Sequence, residues 1–224
     1  MNKVMVGCPS RNDLSCLQLM INSLFNSTRC IDKLVIIDGN STDGSKEYCD
    51  YLAKIDNRIE VYHLNTKTPL EAYNHLFDMA KERKMDLLLT QTDVIFPKCF
   101  NRDWLEEMIK IAQIEQVGAV TCLNGMGISG PDYIDGFNWL GGHCSYYPLR
   151  TLEQIGGFDK DFPNGYGVDI DHTYRISKSG LQIVRTNYWT DHHMGNSREH
   201  DKDEKTEQMK RDSSLFFKKK WGLN

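Results

Sequence analysis

From Lys3 to Leu123 the chain alternates between short, unbroken apolar runs and longer segments whose apolar residues recur at three- and four-residue spacing. The runs read as strands and the periodic segments as amphipathic helices. Strands are predicted at Lys3-Val4-Met5-Val6-Gly7-Cys8, Lys33 to Asp38, Ile59 to Leu64, Met85 to Thr90 and Val117 to Leu123. Between them, helices are predicted on Leu14, Leu17, Ile21, Leu24 and Phe25, on Tyr48 and Leu52, on Leu70, Tyr73, Asn74, Phe77 and Met79, and from Asn101 to Glu115. Asn12 or Asp13 is expected to cap the first of these. The second strand is apolar throughout its centre, as a strand covered on both faces requires. This order predicts an α/β fold with a mostly parallel, doubly wound central sheet and ligand beyond the carboxyl ends of the strands. Pro9 to Asn12 and Asp38 to Ser45 stand at such ends.

The later part is less regular. Asn124 to Asp135, with glycines in and just after it, is expected to be a mobile loop. A glycine- and aromatic-rich stretch from Gly156 leads into Asp169-x-Asp171 and a helix-patterned segment that closes at Gly180. An isolated Asp at a helix start most often caps it by accepting free backbone N–H groups. Asp171 has Arg175 four residues on, which predicts an ion pair on one helical face. Leu181 to Val184 is a further strand. Glu199 to Asp212 is densely charged, and the chain ends in Leu215-Phe216-Phe217-Lys218-Lys219-Lys220-Trp221. Aromatics beside lysines allow peripheral membrane contact, but a helix packing Leu215, Phe216 and Trp221 on the core is the expectation.

The 224 residues suffice for one full core. We expect a single domain in two halves, 1–124 and 125–198, followed by a charged tail at 199–224. The net charge of −4 argues against a nucleic-acid partner. Seven scattered cysteines, without a Cys-x-x-Cys pair, read as free thiols in a reducing compartment. Neither a secretory signal nor an apolar stretch long enough to span a membrane is recognisable, so a cytoplasmic location is expected.

Five segments resemble family 2 glycosyltransferases of the GT-A fold, which implies that the half at 1–124 binds nucleotide-sugar and the half at 125–198 is the acceptor and catalytic half. Gly157-Phe158-Asp159, Gly165-Tyr166-Gly167, Asp169-x-Asp171 and Arg175 resemble the family's acceptor-side segment, which implies Asp169 as catalytic base. Asp38-x-x-Ser41-Thr42-Asp43-Gly44-Ser45 is similar to its nucleotide-binding turn, although Gly39 stands where many members carry a second acid. Gln91-Thr92-Asp93 matches its Asp-x-Asp position with the first acid replaced, which implies Asp93 as ligand to Mn2+ or Mg2+ on the diphosphate. Gly141-Gly142 before the catalytic loop implies close approach of donor to the backbone at Gly142, and His192-x-x-Gly195-x-Ser197 implies a histidine, His192 in preference to His193, that completes the metal site or contacts the diphosphate.

The resemblance therefore implies an inverting transferase that moves a sugar from a nucleotide-sugar donor, UDP- or dTDP-linked by preference, to a glycan, lipid-linked or protein acceptor. Pro9, Ser10, Arg11, Asn12, Asp38, Gln91, Thr92, Asp93 and Gly142 would hold the donor, and Trp139, Asp171 and His193 are acceptor-side candidates. The competing expectation is a catalytically inactive protein that binds sugar-nucleotide or carbohydrate.

Overall fold

A computed structural model describes residues 3–98, 102–192 and 204–223. Its elements run β1 (Val4–Ser10), α1 (Leu14–Ser27), β2 (Lys33–Asp38), α2 (Ser45–Ile55), β3 (Ile59–His63), α3 (Pro69–Glu82), β4 (Asp86–Thr90), β5 (Val94–Ile95), α4 (Trp104–Ala112) and β6 (Val117–Thr121). There follow β7 (Met126–Ile128), β8 (Asn138–Leu140), β9 (Cys144–Tyr147), α5 (Leu149–Ile155), a 3-10 turn (Pro163–Gly165), α6 (Val168–Lys178), β10 (Gln182–Arg185), β11 (Asp191–His192) and α7 (Glu204–Trp221).

Seven strands form the central sheet in the order β10-β6-β9-β4-β1-β2-β3. The β1–β2, β2–β3, β1–β4 and β6–β10 pairs are parallel, and β9 runs antiparallel between β4 and β6. This is the mostly parallel, doubly wound sheet the apolar runs predict. Chain order reverses between β1 and β4, and in such sheets that point opens a crevice beyond the strand ends.

Unbroken apolar runs are needed because both faces are covered. Leu34 and Ile36 join the core under α1, α2 and α4, whereas Val35 and Ile37 join the core under α3, α5 and α6. Full burial of each such side chain contributes about 1.5–3 kcal/mol. Gly7 falls on the α3 side, where a Cβ would stand 3.0 Å from a methyl of Leu76. A side chain there would make Leu76 and Leu87 give way by a few tenths of an ångström, so glycine suits the close approach of α3 to β1.

Several local expectations are corrected. Asp13 holds the cap position of α1 but makes no side-chain cap bond. Its carboxylate accepts from Thr92 Oγ1 at 2.6 Å instead, and Asp43 accepts the Leu14 amide at 2.9 Å from the neighbouring turn. α4 starts at Trp104 because Asp103 accepts from the amides of Leu105 and Glu106. The glycine-rich segment expected to be a loop contributes β7, paired antiparallel with β8. The charged tail does form a helix, α7, with Phe217 fully buried, Phe216 against Phe162 and Trp221 against Tyr174 of α6. Leu215, expected in that packing, is instead 66% exposed. Among the described residues no helix is long and apolar enough to cross a membrane.

Candidate functional site

At the β1/β4 crevice lies a cleft of about 440 Å3. Pro9, Ser10, Arg11 and Asn12 line it from the end of β1, and Gln91, Thr92 and Asp93 from the end of β4. Gly39 follows β2 in the wall, and Thr66, Thr68 and Tyr73 close it from the β3–α3 side. The β1 turn is held by its neighbour. Asn12, at φ +50°, donates its amide to Ser41 Oγ at 2.9 Å, while its Oδ1 accepts the Thr42 amide at 2.7 Å. Ser10 Oγ is buried in this wall with no partner. Such an orphan is expected to be satisfied by a ligand or water.

Asp38 is not in the cleft wall. It is fully buried, accepts the Ser41 amide at 3.2 and 3.4 Å, and bonds His63 Nδ1 at 2.9 Å. The role implied for it, direct contact with a nucleobase, does not fit this geometry. The carboxylate is spent beneath the turn, and Gly39 is what the cleft meets.

Gln91 stands where an acid is usual, and its Nε2 donates to Tyr73 Oη at 2.9 Å. The tyrosine hydroxyl is pushed above its ordinary range by burial first, with further contributions from the charges of Asp93 and Asp169. A Cβ on Gly142 would stand 3.5 Å from Gln91 Nε2, which places this glycine backbone against the same side chain.

Strand β11 pairs with β5 so that His192 is opposite Val94, next in sequence to Asp93. Asp93 faces the cleft, but among the described residues no group of three or more His, Cys, Asp or Glu gathers closely enough to hold a metal alone. This donor set suits a hard cation that takes most of its oxygens from a bound diphosphate and water. His193 lies outside the described residues.

Asp169 occupies the first turn of α6, and its Oδ1 accepts the Ile170 amide at 2.9 Å, so the carboxylate serves the helix start in part. The cap residue itself is Gly167, at φ +71°, and a Cβ there would meet the Tyr133 hydroxyl at 2.5 Å. Desolvation raises the Asp169 pKa to about 7 against the opposing pull of backbone amides. A carboxylate so tuned holds a proton weakly near neutrality and can accept one.

The loop entering α6 is clamped from below. Arg175 donates to the carbonyls of Ile155 and Gly157, and His172 bonds the Gly156 carbonyl at 2.9 Å among the rings of Phe77, Tyr147 and Phe158. Burial first, then the Arg175 charge, lowers the His172 pKa to about 3, so the ring is neutral and donates. Asp171 does form its ion pair with Arg175, at 3.0 Å, and also accepts from Lys220 and Trp221. It is fully buried, and acceptor contact by it is incompatible with that enclosure. Trp139 packs its ring against Gly127 across the β7–β8 hairpin, where a Cβ on the glycine would collide with it.

Comparison with known proteins gives a consistent result. Residues 5–132 match the model of the family described as glycosyl transferase family 2. An undecaprenyl-phosphate mannosyltransferase of Micrococcus luteus is 25% identical over 201 residues, covering 81% of each chain. Among solved structures, the mannosyltransferase PcManGT from Pyrobaculum calidifontis, in complex with GDP-Man and Mn2+, is similar at a TM-score of 0.63 and 17% identity, over 83% of this chain and 55% of that one. GalNAc-T7 with UDP, GalNAc and Mn2+ is similar at a TM-score of 0.69 and 14% identity, over 87% of this chain and 44% of that one. S. aureus TarS 1-349 is similar at 0.58 and 16%, over 83% and 59%. These neighbours share the GT-A fold, and the chain spans about half the length of each.

Proposed function

The chain belongs to family 2 of the glycosyltransferases, and from that premise we propose that it transfers a sugar from a nucleoside-diphosphate donor to an acceptor hydroxyl with inversion at the anomeric carbon. The observation that carries the proposal is the cleft beyond the ends of β1 and β4, lined by Pro9 to Asn12, Gly39 and Asp93, with Asp169 in the first turn of α6 as an acid whose pKa burial raises to about 7.

In this reading the nucleotide occupies the wall from Pro9 to Asn12 and Gly39, with Ser10 Oγ as a ready partner. Gln91 and the backbone at Gly142 border the donor sugar. Asp169 accepts the acceptor hydroxyl proton as the oxygen attacks the anomeric carbon from the side opposite the nucleotide. The bond from that carbon to the diphosphate oxygen breaks, and its electron pair leaves with the nucleoside diphosphate. Asp93, together with His192, which the β5–β11 pairing sets opposite Val94, would hold Mn2+ or Mg2+, which when bound offsets charge on the departing diphosphate.

The UDP or dTDP preference loses its basis with Asp38 enclosed, so the donor is proposed by class alone. A lipid-linked acceptor is favoured by the Micrococcus luteus relative, whose name carries undecaprenyl phosphate. The test is nucleoside diphosphate release from UDP-, dTDP- and GDP-sugars with Mn2+, Mg2+ or EDTA, with and without lipid-linked and free saccharide acceptors. Release from one donor class, lost with EDTA, is the expected result. Metal-dependent donor binding without turnover under every acceptor condition would instead support the inactive binding protein.

A further inference from the structure

His63 lies at the end of β3, in register with Asp38 at the end of β2, and the Leu64 amide donates to the Asp38 carbonyl at 3.0 Å. Both ring nitrogens are engaged by carboxylates. Nδ1 is 2.9 Å from Asp38 Oδ2 and Nε2 is 2.9 Å from Asp50 Oδ1 of α2. A neutral imidazole has one N–H and one lone pair, so it can donate to only one of these acids and must turn a lone pair on the other. Two N–H donors exist only in the imidazolium, and the geometry is that of the charged ring.

Asp38 passes this clamp on to the cleft. Its carboxylate accepts the Ser41 amide, Ser41 Oγ accepts the Asn12 amide, and the Gly39 amide donates to the Ser10 carbonyl at 2.9 Å. Every link between the β2 turn and the β1 turn named here stands on or beside Asp38. We infer that His63 is a positioning residue for the nucleotide cleft: as an imidazolium it anchors Asp38 and the turn after it, and affinity for a nucleoside diphosphate falls when the ring loses its proton.

This inference rests on the donor reading of the cleft, but it adds a residue and a control that the reading did not contain. The ionisable groups facing the ring are Asp38 on β2 and Asp50 on α2, and Cys49 lies beside Asp38. The Cys49 thiol is pushed up to about 12, by burial first and then by the charge of Asp38, so it stays neutral. Partial burial pulls the His63 pKa down, but the two carboxylates outweigh it and hold the ring above its ordinary value. The charged state therefore persists beyond the ordinary range of the ring, so affinity is high on the acid side and declines as pH rises.

The test is calorimetric binding of UDP, dTDP and GDP to wild type and to His63→Gln from about pH 6 to about pH 8.5, a range that runs upward from the ordinary imidazole value. Glutamine keeps one N–H toward Asp38 but cannot titrate. Wild-type affinity should weaken roughly five- to tenfold across the range, at the lower end of coupling between neighbouring sites. The variant should show only the slope that ionisation of the ligand itself imposes on both proteins. Parallel curves would overturn the inference while leaving the donor reading intact. Failure of all three nucleotides to bind at any pH would overturn both. An NMR titration of the wild-type ring guards against a variant that does not fold, and a neutral His63 at about pH 6 would equally refute the inference.

Discussion

Trp221 donates its indole N–H to Asp171 at 2.8 Å, tying the last turn of α7 to the first turn of the helix that carries Asp169. Lys220 joins the same carboxylate at 2.7 Å, and Arg175 holds it from within α6 at 3.0 Å. The acid next but one to the proposed base is thus fixed from two helices, and α7 is part of what orients the catalytic turn.

Asp171→Asn tests that bracing. It leaves Arg175 without its counter-charge, while Lys220 keeps its pair with Asp159 at 2.8 Å, and both cations still have some access to solvent. The expected cost is on the order of 2–3 kcal/mol, below the range for fully buried pairs. Thermal unfolding should show it as a clear fall in Tm. A midpoint equal to that of wild type would remove α7 from the account of the site.

Asp93→Asn probes the cation directly. With one carboxylate supplied by the chain, its loss should abolish stimulation by Mn2+ and reduce kcat/KM by about 100-fold or more, a loss of about 3 kcal/mol of transition-state stabilisation. Titrating activity against Mn2+ for both proteins measures this. An unchanged metal dependence would place the cation elsewhere.

The raised pKa of Asp169 makes two predictions of opposite sign in pH. The proposed base must be ionised, so kcat/KM should rise with pH through about 7 and level above it. For stability the folded-state pKa is raised, so the folded chain binds more protons than the unfolded chain over the interval between the ordinary Asp value and about 7. Stability from this group is fully present below the unfolded pKa and is lost as pH rises through the folded one. Asp169→Asn removes that penalty and should stabilise the protein at about pH 8 by on the order of 1–3 kcal/mol, the residual solvent contact of the acid keeping the gain modest. Urea unfolding at about pH 5 and about pH 8 reads the difference. A variant less stable than wild type at the higher pH would mean that Asp169 serves the helix more than the reaction.

Much of this arrangement was legible in the sequence because it depends on local pattern. Unbroken runs such as Lys33 to Asp38 specify strands covered on both sides, and strand ends specify where a ligand lies. The i, i+4 spacing of Asp171 and Arg175 specified their ion pair. What escaped depends on register between distant strands. Asp38 is enclosed because β3 sets His63 beside it, and no spacing along the chain conveys that. Likewise Asp13 looked like the cap of α1, but Thr92, far along the chain, takes its carboxylate and Asp43 supplies the cap bond. Tyr73 fell within a helical apolar pattern, which hid a hydroxyl that reaches Gln91. The β5–β11 pairing sets His192 opposite Val94 from nearly a hundred residues away in sequence, and no spacing along the chain conveys that register.

The most direct test of the central claim is single-turnover sugar transfer by wild type and Asp169→Asn, using the donor and acceptor identified in the panel, with donor binding measured in parallel. Loss of a general base predicts a rate lower by about 100- to 10,000-fold with donor affinity little changed. Transfer at the wild-type rate by the variant would contradict the mechanism and return Asp169 to the role of a helix-start residue.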